Sequence, residues 1–150
     1  MKSTTRARAR AMAVAVAIPG LIGLSGTGCG IPTDSPVMRP GDNCLRCHSG
    51  ERAQAWTVAG TLFASPTATT DMGVEGASVF VTDANGKTLT LHTNGAGNFY
   101  TAEDLVFPLR IQAQRGSTQV GMLMRAPDGA CNSCHTDPPA NGAPGRIYVP

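Results

Sequence analysis

The sequence predicts a mainly β fold: an antiparallel, two-sheet sandwich flanked by two cysteine-containing segments. Three observations carry that prediction. Apolar and polar residues alternate through residues 55–125, Gly- and Asn-rich turn signals break the stretch at short intervals, and almost nothing falls at helical spacing. With 41% apolar residues, 18 Gly and 11 Pro, the 150-residue chain has material for one small core and many turns.

The alternation predicts strands over 56–64, 77–82, 88–92, 98–101, 108–114 and 118–125. Trp56 opens the first and is expected to begin the core. Asp83-Ala84-Asn85-Gly86 before Lys87 reads as a tight hairpin in which Asn-Gly supplies the positive φ angles. In 88–92, Leu89 and Leu91 share one face, while Thr88, Thr90 and His92 share a face that reads as solvated.

Charge is unevenly placed. Lys2, Arg6, Arg8 and Arg10 precede an apolar run from Ala11 to Leu24, and no acidic residue occurs before Asp34. A cationic start, an apolar stretch interrupted by Pro19 and Gly20, and the small residues Ser25 to Gly28 have the layout of an export signal over 1–28. That run is too short to span a bilayer comfortably. Without it, 8 basic and 10 acidic residues remain, a net charge of −2. The basic residues are scattered singly, which excludes a nucleic-acid interface. Residues 29–40, with Pro32, Pro36 and Pro40, read as an extended tether.

Four of the five cysteines fall in two identical frames, Cys44-Leu45-Arg46-Cys47-His48 and Cys131-Asn132-Ser133-Cys134-His135. In Cys-x-x-Cys-His, two thiols one turn apart can add across the two vinyl groups of haem, and the adjacent His reaches the iron. Two covalently bound haem c groups are therefore expected, with Cys44, Cys47, Cys131 and Cys134 as attachment residues and His48 and His135 as axial ligands. A zinc ribbon, a thioredoxin-like redox motif and structural disulfides use the same residues. Zinc needs no His after both second cysteines, and the thioredoxin-like motif needs a βαβ unit that the pattern lacks. Disulfides remain open in an exported chain.

Only three histidines exist, so two bis-His sites cannot form within one chain. The flanks Met38-Arg39-Pro40-Gly41-Asp42-Asn43 and Met124-Arg125-Ala126-Pro127-Asp128-Gly129-Ala130 repeat a Met-Arg, Pro, Asp pattern before each motif. Six or seven extended residues span about 20 Å, enough to carry a sulfur to the far side of a porphyrin. Met38 and Met124 are thus candidate sixth ligands, with His92 a further one and Met72 and Met122 weaker. The alternative is that these methionines fill packing gaps. Residues 41–54 and 126–150 become the first and second haem-binding segments, the latter with a Pro- and Gly-rich tail whose Arg146 can pair with a propionate.

Three resemblances follow from residues already quoted. Gly26-Thr27-Gly28-Cys29-Gly30 resembles the lipobox of bacterial lipoproteins, implying lipidation of Cys29. It departs from that family in carrying Gly26 where Leu is favoured. The run Gly73-Val74-Glu75-Gly76-Ala77-Ser78-Val79-Phe80-Val81-Thr82-Asp83, with Asn85-Gly86-Lys87, Thr93-Asn94 and Gly95-Ala96-Gly97-Asn98-Phe99-Tyr100, resembles the carboxypeptidase regulatory-like (transthyretin-like) β-sandwich. This covers about half the chain and implies a seven-stranded, prealbumin-like (Ig-like) sandwich with a structural or binding role. With its two Cys-x-x-Cys-His motifs, the whole chain resembles a bacterial multihaem c-type cytochrome built on that scaffold.

The function expected is electron transfer in the periplasm or at the cell surface, with redox proteins or an extracellular acceptor as partners, a possible lipid anchor and possible self-association. No serine elbow or paired-carboxylate motif points to another catalytic centre. Two alternatives stay open: a dihaem peroxidase- or reductase-type enzyme with one open iron, and an exported binding module with Cys-x-x-Cys disulfides.

Overall fold

The computed structural model describes residues 38–150. The expected export signal, Cys29 and most of the expected tether lie outside the described residues. The chain is mainly β, with strands β1 (Val58–Phe63), β2 (Ser78–Thr82), β3 (Thr88–His92), β4 (Asn98–Thr101), β5 (Arg110–Arg115), β6 (Thr118–Gly121) and β7 (Ile147–Tyr148). Two sheets result, ordered β4-β1-β7 and β3-β2-β5-β6. Helix is confined, among the described residues, to two single 3-10 turns, Cys44–Arg46 and Cys131–Ser133.

Both sheets contribute to one apolar core. Val58, Leu62 and Phe99 come from the first, and Val79, Val81, Ile111 and Ala113 from the second. Alternation decides which side chains enter: β2 reads half-buried, buried, half-buried, while β3 leaves Thr88, Thr90 and His92 exposed, as the pattern predicts. The chain changes sheet between β3 and β4, where the Asn94 side chain accepts the N–H groups of Ala96 and Asn98 at 3.0 Å each.

β1 differs from the others because all six of its residues are buried. Val58 and Leu62 face the shared core, whereas Thr61 and Phe63 face the opposite side, where residues before the first motif and the C-terminal tail cover them.

Three sequence expectations need correction. The strand expected over 118–125 ends at Gly121, because Leu109 pairs with Ala126 where an unbroken ladder would place Met124. Two extra residues bulge out there, leaving Leu123 fully exposed. The sheet is also not wholly antiparallel: β7, two residues in the Pro- and Gly-rich tail, lies parallel to β1. Ala130 already forms a parallel bridge to Ala59, so the free edge of β1 is followed twice in one direction by the same stretch of chain. The second Cys-x-x-Cys-His motif is a loop inserted between those two passes. Finally, Trp56 lies outside the core cluster.

The β2–β3 hairpin forms, although of the expected Asn-Gly pair only Gly86 takes a positive φ, 90°, and its turn is organised by Asp83. One carboxylate oxygen accepts the N–H of Asn85 at 2.9 Å and of Lys87 at 2.8 Å, and the other accepts Val106 N–H at 3.2 Å. Desolvation pushes this carboxyl up, but the backbone N–H groups outweigh it and hold the group below its ordinary value of 3.8. A depressed carboxyl stabilises the fold at pH values above its unfolded pKa, and that contribution is lost as pH falls through the lower folded value. Asp83→Asn is therefore expected to lower the urea midpoint near neutral pH. The gap from the parent should close on acidification to about pH 3; a gap that stays constant with pH would contradict the assignment.

Candidate functional site

The two Cys-x-x-Cys-His segments fold alike. Each begins as a 3-10 turn, and in each the histidine N–H donates to the carbonyl of the first cysteine at 3.0 Å. The first thiol of each donates to the carbonyl two residues before it: Cys44 to Asp42 at 3.5 Å and Cys131 to Gly129 at 3.6 Å. The second cysteines have closely similar dihedral angles in the two copies, φ −104° and ψ −39° at Cys47 against −111° and −44° at Cys134.

The imidazoles are oriented by the same device. His48 Nδ1 lies 3.0 Å from the Gln54 carbonyl, and His135 Nδ1 lies 2.9 Å from the Gly145 carbonyl. A carbonyl only accepts, so Nδ1 carries the proton and Nε2 of the neutral ring keeps its lone pair. Histidine ligands to metals are oriented in this way.

At the first motif a ring stack adds to the constraint. The His48 and Trp56 rings lie 3.4 Å apart and within 5° of parallel, and Trp56 in turn stacks on Tyr100 at 4.0 Å and 9°. Trp56 thus serves the site rather than the core. Tyr100 was not singled out from sequence; its outward direction in β4 was legible from Phe99 pointing in, but its meeting with Trp56 was not. Met38, Cys44, Cys47, His48, Trp56 and Tyr100 line a groove of about 300 Å³, at the lower end of the range for small-molecule sites.

Three buried side-chain polar atoms among the described residues have no hydrogen-bond partner: Asn43 Oδ1, His48 Nε2 and Arg146 Nε. All three sit at or beside the first motif, since the Arg146 guanidinium lies 4.3 Å over the Phe63 ring and against Gly41. An unsatisfied buried polar group costs about 1–3 kcal/mol, so three are a large fraction of the ~5–15 kcal/mol that keeps a domain folded. Buried polar atoms of this kind call for a partner from outside the chain: a water, an ion or a ligand.

The two motifs, about as far apart as the described chain allows in sequence, meet at β1. Cys131 packs beside Gly60, where a Cβ would stand 2.8 Å from the Cys131 Cβ and 2.6 Å from Phe99. Only glycine admits both neighbours. The other candidates distribute unevenly. Met38 lines the groove with His48, whereas Met124 is 75% exposed on the bulge after β6. Met122 and Met72 are also exposed. His92 is exposed on β3, in the sheet that does not carry the motifs, with Ser78 Oγ 3.5 Å from its Nδ1. No group of three or more His, Cys, Asp and Glu among the described residues is arranged to hold a metal ion. A haem iron needs only one axial residue from that set.

Cys44, Cys131 and Cys134 are free thiols, and Cys47 is disulfide-bonded. A thioether at Cys47 therefore requires prior reduction of that sulfur. Comparison with protein-family models, with curated proteins and with solved structures finds no match for the chain. The site's own chemistry carries the functional reading.

Desolvation pushes the Cys44 thiol up and the Cys131 thiol up to about 12, the latter helped by the neighbouring Cys44. Only thiolate reacts with alkylating agents. Iodoacetamide at mildly alkaline pH is expected to modify Cys131 of the haem-free chain at least about tenfold more slowly in the native state than in urea. Equal rates, read by peptide mass, would contradict the packing described.

Proposed function

We propose that the chain is an exported dihaem c-type cytochrome that transfers electrons in the periplasm or at the cell surface. The carrying observation is the coincidence, at a Cys-x-x-Cys-His turn, of an imidazole anchored through Nδ1 with a buried, unpartnered Nε2. The second motif repeats the turn and the Nδ1 anchor. Haem attached at each motif supplies one-electron iron chemistry.

In this reading Cys44 and Cys47, and Cys131 and Cys134, provide the thioethers, and His48 and His135 bind through Nε2. Met38, which lines the same groove as His48, is the sixth ligand favoured at the first site. Arg146, its guanidinium packed on Phe63, is suited to a propionate carboxylate. The aromatic stack restrains rotation of the His48 ring and ends at Tyr100, 45% exposed, on a surface where a redox protein can dock. The two sheets fit the prealbumin-like sandwich implied by the sequence, which serves as a rigid mount. A lipid on Cys29 would hold the protein at a membrane and, like the thioether at Cys47, needs a sulfur that is not held in a disulfide.

The other reading left open by the sequence, an exported binding module with Cys-x-x-Cys disulfides, finds neither pair closed, since Cys44, Cys131 and Cys134 are free thiols.

Absorption spectroscopy separates these readings. Protein produced with a cytochrome c maturation system is expected to be red, with a reduced spectrum unchanged by carbon monoxide at the first site. Met38→Ala is expected to lower that site's reduction potential or make it high-spin, and Met124→Ala to change neither. A colourless product sinks the cytochrome reading. Carbon monoxide binding by the unaltered protein at the first site points instead to a dihaem enzyme with one open iron.

A further inference from the structure

Asn132 occupies a position between the two cysteines of the second motif where the spacing demands no particular side chain. It is nevertheless 2% exposed. Its Nδ2 donates to the Asp42 carbonyl and to Thr61 Oγ1, both at 3.0 Å, and its Oδ1 accepts the Thr61 N–H at 3.2 Å. Asp42 stands two residues before Cys44, and the same carbonyl accepts the Cys44 thiol at 3.5 Å. One carbonyl is thus shared between the first cysteine of one motif and an interior residue of the other.

Thr61 is the hub of this connection. Its hydroxyl accepts Gly41 N–H at 3.0 Å as well as Asn132 Nδ2, and donates to Asn98 Oδ1 at 2.7 Å. The Asn98 Nδ2 donates in turn to the Met38 carbonyl. A hydroxyl has one donor and two acceptor sites, so every valence of Thr61 Oγ1 is used. The circuit binds the start of the described chain, the approach to Cys44, β1, β4 and the inside of the second motif, and it is buried and fully satisfied where it crosses β1. Networks of this kind are stiff, because losing any one member leaves the others unpaired away from water.

We infer that Asn132 is a positioning residue that fuses the two Cys-x-x-Cys-His turns into one composite site, so that the shape of the first turn depends on a side chain of the second. The functional consequence rests on the cytochrome reading; the mechanical link does not. Cys131 packing beside Gly60, on the same strand as Thr61, agrees with the same close approach. Two groups mounted on this unit would be held in a fixed mutual arrangement, not on independently moving loops.

Amide hydrogen exchange of the haem-free full chain tests the link directly. The Cys47 and His48 N–H groups, bonded to the Cys44 carbonyl at 3.1 and 3.0 Å, report on the first turn, and the β2–β5 ladder reports on the fold at large. Asn132→Leu keeps similar bulk and removes every polar contact. It is expected to speed exchange at Cys47 and His48 at least about fivefold more than at the β2–β5 amides. Ser133→Ala, in the same turn, should alter neither, because Ser133 Oγ meets only Cys134 Sγ at 3.6 Å. If both groups of amides accelerate by one common factor, or neither accelerates, Asn132 supports the fold generally or not at all and the inference is overturned. In protein produced with the maturation system, Asn132→Leu should also reduce haem on the Cys44–Cys47 peptide, read by mass, while Ser133→Ala retains it. Should the parent protein carry no haem, the cytochrome reading fails while the exchange result still decides this inference.

Discussion

Strand β1 has no solvated face, and the arrangement of the site follows from that. A strand at the centre of a three-stranded sheet is ordinarily covered on the core side alone, with polar residues alternating toward water. Here the outward position Thr61 is buried as completely as the inward Leu62. Its hydroxyl and the neighbouring backbone need partners from elsewhere in the chain. Those partners are Gly41 and Asn132, one from each segment that carries a motif, together with Asn98 on β4, and Asn132 in turn donates to the Asp42 carbonyl. Gly60 admits Cys131 on the inner side of the same strand. The sheets therefore do more than separate the two Cys-x-x-Cys-His turns. They force them together.

Around that junction the polar bonding is uneven, and the unevenness has chemical meaning. The hub at Thr61 is saturated, as a buried network must be to stabilise a fold. A short distance away, Asn43 Oδ1, His48 Nε2 and Arg146 Nε are buried and unpaired. The chain saturates its mount and leaves unpaired one atom each of the groove-lining residues Asn43 and His48, and one of Arg146 beside them. An imidazole nitrogen and a guanidinium are also the donor set suited to an iron and a carboxylate. The disulfide at Cys47 adds an order of events, because that sulfur must be reduced before a thioether can form there.

Much of this was legible in the sequence. Alternation located β2, β3, β4 and the body of β5 and β1, since each buries one apolar row against the core. The Cys-x-x-Cys-His frames fixed which residues would share a turn. What escaped was set by contacts distant along the chain. β7 is two residues long and exists only because the free edge of β1 accepts it, so no local periodicity announces it. Met122 and Met124 continue the alternation of β6, but the ladder breaks before they can use it, and an apolar pattern alone does not say where the neighbouring strand stops. Trp56 resembled a core residue because size and apolarity favour burial. Its place in a stack with His48 and Tyr100 depends on two other segments reaching it. Asn132 carried no signal at all in its own neighbourhood.

The account's central claim is that both turns are attachment sites, and intact mass spectrometry tests it most directly. The mature protein, produced with a cytochrome c maturation system and denatured so that only covalent additions remain, should weigh the chain plus two haems. Each addition should map to one Cys-x-x-Cys-His peptide. A mass equal to the chain alone, or to the chain less the hydrogens lost to disulfides, would contradict the claim.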